Sequence, residues 1–100
     1  MVVLQNKEIR EMAEDSYRFE YAYRIVENHY ENILGYGIEA EKKTYVSENL
    51  KGIEREYIGV ISPIYSKVED MVDILYNHRV SPIHLVDVLG ERIDECTFDF

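Results

Sequence analysis

The chain reads as one α+β domain over residues 1–100, a three- or four-stranded antiparallel β-meander followed by two C-terminal helices packed on one face. Three observations predict it. From Tyr17 the side chains alternate with period two; after Pro63 apolar residues recur at spacings of three and four; and Ser-Pro-Ile occurs twice, at Ser62-Pro63-Ile64 and Ser81-Pro82-Ile83. Serine is a preferred N-cap and proline suits the first helical position, so each tripeptide predicts a helix start.

The N-terminal stretch mixes signals. Val2, Val3 and Leu4 favour a strand, while Ile9, Met12 and Ala13 have helical spacing. An edge strand hairpinned onto the next through Ala13-Glu14-Asp15-Ser16 fits better. The next strand covers Tyr17 to Glu27, with Tyr17, Phe19, Tyr21, Tyr23 and Ile25 on one face and Arg18, Glu20, Ala22, Arg24 and Val26 on the other. Its aromatic row faces the core or an interface; a base-stacking platform would need basic neighbours that this chain lacks.

Ile33 to Val46 makes another strand, in which Gly35 and Gly37 mark a bend or a close approach of backbone. Ser47 to Gly52 reads as a hairpin loop, with Asn49 and Gly52 taking up positive φ. A last strand runs from about Ile53 to Ile61; its imperfect alternation predicts a bulge or burial on both faces near its end.

Ile64, Val68, Met71, Val72, Leu75 and Tyr76 form the buried stripe of the first helix. Ser66-x-x-Glu69 offers a second capping box, which would start the helix at Lys67. The second helix carries Ile83, Leu85, Val86, Leu89 and Ile93 on its stripe, and Gly90 within it predicts close packing or an early end. The tail Cys96-Thr97-Phe98-Asp99-Phe100 alternates, as a closing strand or an apolar strap.

Composition narrows function. Apolar residues make up 46% of the chain and charged residues 31%, with a net charge of −9. Residues 1–50 hold six Lys/Arg and ten Asp/Glu, residues 51–100 five and ten, so neither half is a basic arm. Nucleic acid is therefore disfavoured, because phosphate binding draws on Lys/Arg displacing counterions. A protein partner with a basic surface matches better. No apolar run approaches the roughly 18 residues that span a bilayer, the start from Met1 turns polar too early for a signal peptide, and the lone Cys96 allows no internal disulfide. A soluble cytoplasmic protein is the expectation. Nine tyrosines and three phenylalanines exceed what so small a core should bury, so a homodimer is expected as the simplest closed assembly.

No motif names a reaction. Ser81, His84 and Asp87 share a helix face, but Ser81 is the expected cap and no oxyanion hole accompanies it. His29, His78, His84 and Cys96 lack zinc-site spacing, Glu69, Asp70 and Asp73 lack an EF-hand glycine, and Gly35-Tyr36-Gly37 sits in a strand without a following helix. Neither enzyme nor cofactor is expected.

Tyr23-Arg24-Ile25-Val26-Glu27, Tyr36-Gly37-Ile38-Glu39, Ile61-Ser62-Pro63 and above all Val80-Ser81-Pro82-Ile83-His84-Leu85-Val86-Asp87-Val88-Leu89-Gly90-Glu91 resemble a family of small uncharacterised proteins of anaerobic, spore-forming Gram-positive bacteria. The resemblance covers roughly residues 17–95. It implies no activity and carries over no site residue. The leading expectation is a non-enzymatic interaction or regulatory protein with an acidic, tyrosine-rich surface; the alternative is a small-ligand module with a pocket between sheet and helices near Gly35, Gly37 and His84. Candidate site residues are Tyr23, Tyr36, Gly37, His84 and Asp87; His84 is expected to pair with Asp87 on the helix face or to stack over the preceding turn, in a structural role, bonding to backbone or packing between helix and sheet, rather than lining a pocket.

Overall fold

Three hairpins in succession build the sheet. In the computed structural model, which describes residues 2–100, β1 (Val2–Met12), β2 (Tyr17–Tyr30), β3 (Ile33–Val46) and β4 (Asn49–Ser62) pair antiparallel in chain order. Met1, with which the polar start opens, lies outside the described residues. α1 (Tyr65–Asn77) and α2 (Leu85–Glu95) follow, α2 being entered through a 3-10 turn at Pro82–His84. No helix among the described residues is long and apolar enough to cross a membrane.

The hairpin turns carry no glycine. Asp15 and Ser16, Glu31 and Asn32, and Ser47 and Glu48 all have positive φ, the pairwise left-handed geometry whose twist matches the strands. The β3–β4 loop expected at Ser47 to Gly52 is thus a two-residue turn, with β4 already paired at Asn49; neither Asn49 nor Gly52 has positive φ. A register shift at Thr44/Tyr45 absorbs the extra residue, so the strand starts four residues before the expected Ile53.

The middle of the sheet makes the core. Tyr21, Tyr23 and Ile25 of β2, Ile38 and Ala40 of β3 and Ile61 of β4 meet Val68, Met71, Val72 and Leu75 of α1 and Leu85 and Leu89 of α2. The expected β2 face is confirmed from Phe19 to Ile25, while Tyr17 is exposed beyond the helices. Register also shifts between Tyr36 and Ile38, where Gly37 lies against β4: a Cβ there would fall inside the carbonyl oxygens of Ile58 and Gly59. The glycine serves backbone packing at a bulge.

Both helix starts differ from expectation. Ser62 Oγ accepts the Ile64 N–H at 3.0 Å, but Ile64 is extended and the helix begins at Tyr65, neither at Pro63 nor at Lys67, so no Ser66 capping box forms. Ser81 makes no side-chain cap. Its carbonyl accepts the His84 N–H at 2.9 Å in the 3-10 turn, while its hydroxyl accepts from Lys42 Nζ at 3.3 Å, so a lysine on β3 takes the cap oxygen. α1 ends in a Schellman motif, with Val80 N–H donating to Leu75 O and Arg79 N–H to Tyr76 O; Arg79 takes the left-handed position usual for glycine.

α2 buries Leu85 and Leu89 and half-buries Ile93, leaving Ile83 and Val86 in solvent. The 3-10 turn alters the phase at Ile83, and Val86 lies about 100° around the helix from Leu85, off the Leu85–Leu89 line. Gly90 neither packs closely nor ends the helix. The tail is a strap: Cys96–Asp99 forms a 3-10 turn, and the Phe100 ring reaches within 3.6 Å of where a Gly35 Cβ would stand.

Candidate functional site

The five residues singled out from sequence fall in two places. Tyr23 is fully buried, its ring stacked on Tyr21 with centroids 6.3 Å apart, and its hydroxyl donates to Val80 O at 2.7 Å. Burial, with Tyr21 beside it, raises its pKa well above the ordinary tyrosine value. Tyr36 meets Tyr65 edge-on at 5.3 Å, and Gly37 is closed off by β4 backbone. These three hold the fold. His84 and Asp87 sit together on the outside of the helical layer, Nδ1 to Oδ2 3.7 Å, both well exposed.

His84 thus forms the helix-face pair with Asp87 that the spacing suggested, but it does not pack between helix and sheet and bounds no pocket with the glycines. Gly37 faces backbone, Gly35 faces Val60 and Phe100, and His84 faces water. Tyrosine is also sorted differently. Tyr17, Tyr30 and Tyr57 are exposed, Tyr45 lies half-buried under the Arg18 guanidinium on the open sheet face, and Tyr21, Tyr23, Tyr36, Tyr65 and Tyr76 fill or edge the core.

Charge is sorted by layer. The open sheet face is a lattice of alternating sign: Arg18 bonds Glu48 at 2.6 Å and Glu20 at 3.1 Å, Arg24 bonds Glu39 at 2.8 Å, and Arg55 bonds Glu41 at 2.6 Å. Glu41 is only 6% exposed. Burial alone would raise its pKa, but the Arg55 bond with Arg24 and Lys43 alongside outweighs burial and holds the carboxyl below the ordinary glutamate value. A depression of about 240 Å³ lies over Ala22 in this lattice, walled by Glu8, Arg10, Glu20, Arg24, Glu41 and Lys43. Its three cations and three anions leave it with no net sign.

The helical layer is different. Residues 63–100 hold eight Asp/Glu and three Lys/Arg, net −5 in 38 residues, against twelve and eight, net −4, in the 62 residues before them. Lys67 pairs with Asp99 within the layer, Lys7 of β1 pairs with Asp73, Arg79 reaches out to Glu11 of β1, and Arg92 makes no ion pair among the described residues. Among the described residues, Glu69, Asp70, Glu91, Asp94 and Glu95 have no cation within ion-pair distance. Beside these carboxylates the outer side of α2 exposes Val86 and Val88, preceded by Ile83. Sequence reasoning placed Ile83 and Val86 in the core and so missed this surface; the signal was the crowding of α2, whose five-residue stripe is wider than one buried face.

The tail closes one end of this layer. Asp99 accepts from Ser62 Oγ at 3.0 Å and from Lys67 Nζ at 2.8 Å, and Lys67 holds its carboxyl below the ordinary aspartate value. Cys96 is buried under the strap, and burial raises its thiol pKa, with the Asp99 charge adding to it. That environment makes an unreactive thiol. Among the described residues no group of three or more His, Cys, Asp or Glu side chains is placed to hold a metal ion.

The chain belongs to a family of unknown function, DUF6514, whose model matches residues 1–95. The match takes in β1 and its turn, which the resemblance read from sequence left out. No curated protein and no solved structure matches the chain.

Proposed function

We propose that the protein acts without catalysis, by binding a partner protein with a basic surface through the outer side of its helical layer. The observation that carries this reading is the layered charge: the sheet face satisfies its own charges, while the helices present carboxylates with no cation in reach beside exposed apolar side chains. Catalysis is disfavoured because Ser81, the one nucleophile in line with His84 and Asp87, has its hydroxyl engaged by Lys42.

The test is comparative capture. Proteins retained from cell extract by the wild type should be lost to a variant carrying Asp87→Asn, Glu91→Gln, Asp94→Asn and Glu95→Gln, and kept by one carrying Arg10→Gln and Glu8→Gln on the sheet face. Loss in the sheet variant alone would assign binding to the other face and defeat the reading.

A further inference from the structure

α2 shows solvent an apolar line as well as a charged one. Ile83 is 66% exposed and Val86 56%. Val86, Gly90 and Ile93 follow at intervals of four and three, so they share a flank of α2, and the exposed Ile83 precedes them in the 3-10 turn. The fold itself gives Gly90 no task, since a Cβ there would meet only Val86 Cγ1, at 3.9 Å, in ordinary contact. Glycine inside a helix is unfavourable relative to alanine, and what it leaves here is a notch between Val86 and Ile93 open to close approach from outside. At its far end the line enters a groove of about 230 Å³ lined by Tyr30, Val60, Ile61, Ile93, Thr97 and Phe100. Ile93 belongs to both. Alongside the line run Asp87, Glu91 and Asp94, spaced four and three.

We infer that this track, from Ile83 to the groove at Phe100, seats an amphipathic helix of a partner protein whose apolar face is bordered by Lys and Arg. The inference rests on the binding reading above and names its partner's form. Anchors at intervals of three and four are how a helix is read by a complementary surface. The 11 residues from Ile83 to Ile93 span roughly 16 Å at about 1.5 Å per residue, room for three turns. Charge decides the occupant. A second copy docked by a two-fold axis would set the Asp87–Glu91–Asp94 row against itself, with Arg92 the one permanent cation on α2, whereas lysines bordering an apolar face meet that row with opposite sign.

Three labelled 18-residue peptides test it by fluorescence anisotropy: a leucine face bordered by lysine, the same face bordered by glutamate, and lysine borders with serine replacing leucine. The expected result is saturable 1:1 binding of the first alone, weakened at least tenfold by Val86→Ser, which leaves the melting curve near that of wild type, or by Gly90→Gln, which does not lower it. Equal binding of the lysine–serine peptide, with no effect of Val86→Ser, would overturn the apolar seat and leave the acidic surface standing. Failure of both lysine peptides while the capture comparison succeeds would defeat this inference alone; failure of both experiments would defeat the two together. A wild-type dimer that Val86→Ser dissociates would assign the track to a second copy.

Discussion

The Tyr23 hydroxyl, at the centre of the sheet, donates its proton to the Val80 carbonyl in the link between the two helices. One bond thus ties β2 to the turn that aims α2. Tyr23→Phe keeps the ring and orphans a buried carbonyl, so denaturant melts should show a loss of about 1–3 kcal/mol. No loss would mean that water or another donor replaces the hydroxyl.

The same residue fixes an alkaline limit. In the folded chain the Tyr23 pKa is raised well above the ordinary tyrosine value, so above about pH 10 the unfolded chain has lost a proton that the folded one keeps. Stability contributed by the neutral phenol is present below that pH and is lost as pH climbs towards the folded value. Thermal melts in steps from pH 8 to 11 should fall at the alkaline end, and Tyr23→Phe should flatten the fall, leaving the share due to Tyr21, which burial also raises.

The two serines that begin Ser-Pro-Ile should behave unlike each other. Ser62 is fully buried, accepts the Ile64 N–H and donates to Asp99, so Ser62→Ala should cost about 1–3 kcal/mol. Ser81 caps nothing, and its hydroxyl makes only a long bond from the Lys42 ammonium and a minor contact with the Tyr21 hydroxyl, so Ser81→Ala should stay within about 0.5 kcal/mol. Equal losses would restore Ser81 as a cap.

Sequence gave the strands, both helices and the bulge near Ile58 to Ile61, because periods of two and 3.6 and a glycine at Gly37 are direct imprints of pleat, helix and close backbone packing. The first turn was legible in the polar run Ala13 to Ser16, and the third only as a wider loop from Ser47 to Gly52. Asp15-Ser16, Glu31-Asn32 and Ser47-Glu48 adopt left-handed backbone without glycine, so the loop signal slid to Asn49 and Gly52. The binding surface was hidden for a related reason: Ile83 and Val86 look like core by composition, and only the 3-10 turn before α2 sets which of its apolar residues turn outward.

Glycine roles can be separated by one methyl group. Gly37→Ala places a Cβ into the carbonyls of Ile58 and Gly59 and should cost about 3 kcal/mol or prevent folding, whereas Gly52→Ala meets nothing within 4 Å and should be near neutral. Gly90→Ala should stabilise by up to about 1 kcal/mol, since the helix gains propensity without a clash. A destabilised Gly90→Ala would return that glycine to the fold and remove it from the binding track.

Asp99 should govern access to Cys96. With the carboxylate gone in Asp99→Asn, the strap loses its hold on Lys67, and the buried thiol should react with a disulfide reagent several times faster than in the wild type. An unchanged rate would mean that Phe100 against Gly35 and Tyr30 holds the tail unaided.

The layered charge is tested most directly by a backbone amide NMR titration of the labelled chain with the lysine-bordered leucine peptide at 0.15 M salt. Binding through the helical layer predicts that the signals that move cluster from Ile83 to Asp94 and around Phe100, with Glu8, Ala22 and Lys43 still. Movement centred on Ala22 and its charged neighbours, with α2 unaffected, would contradict it.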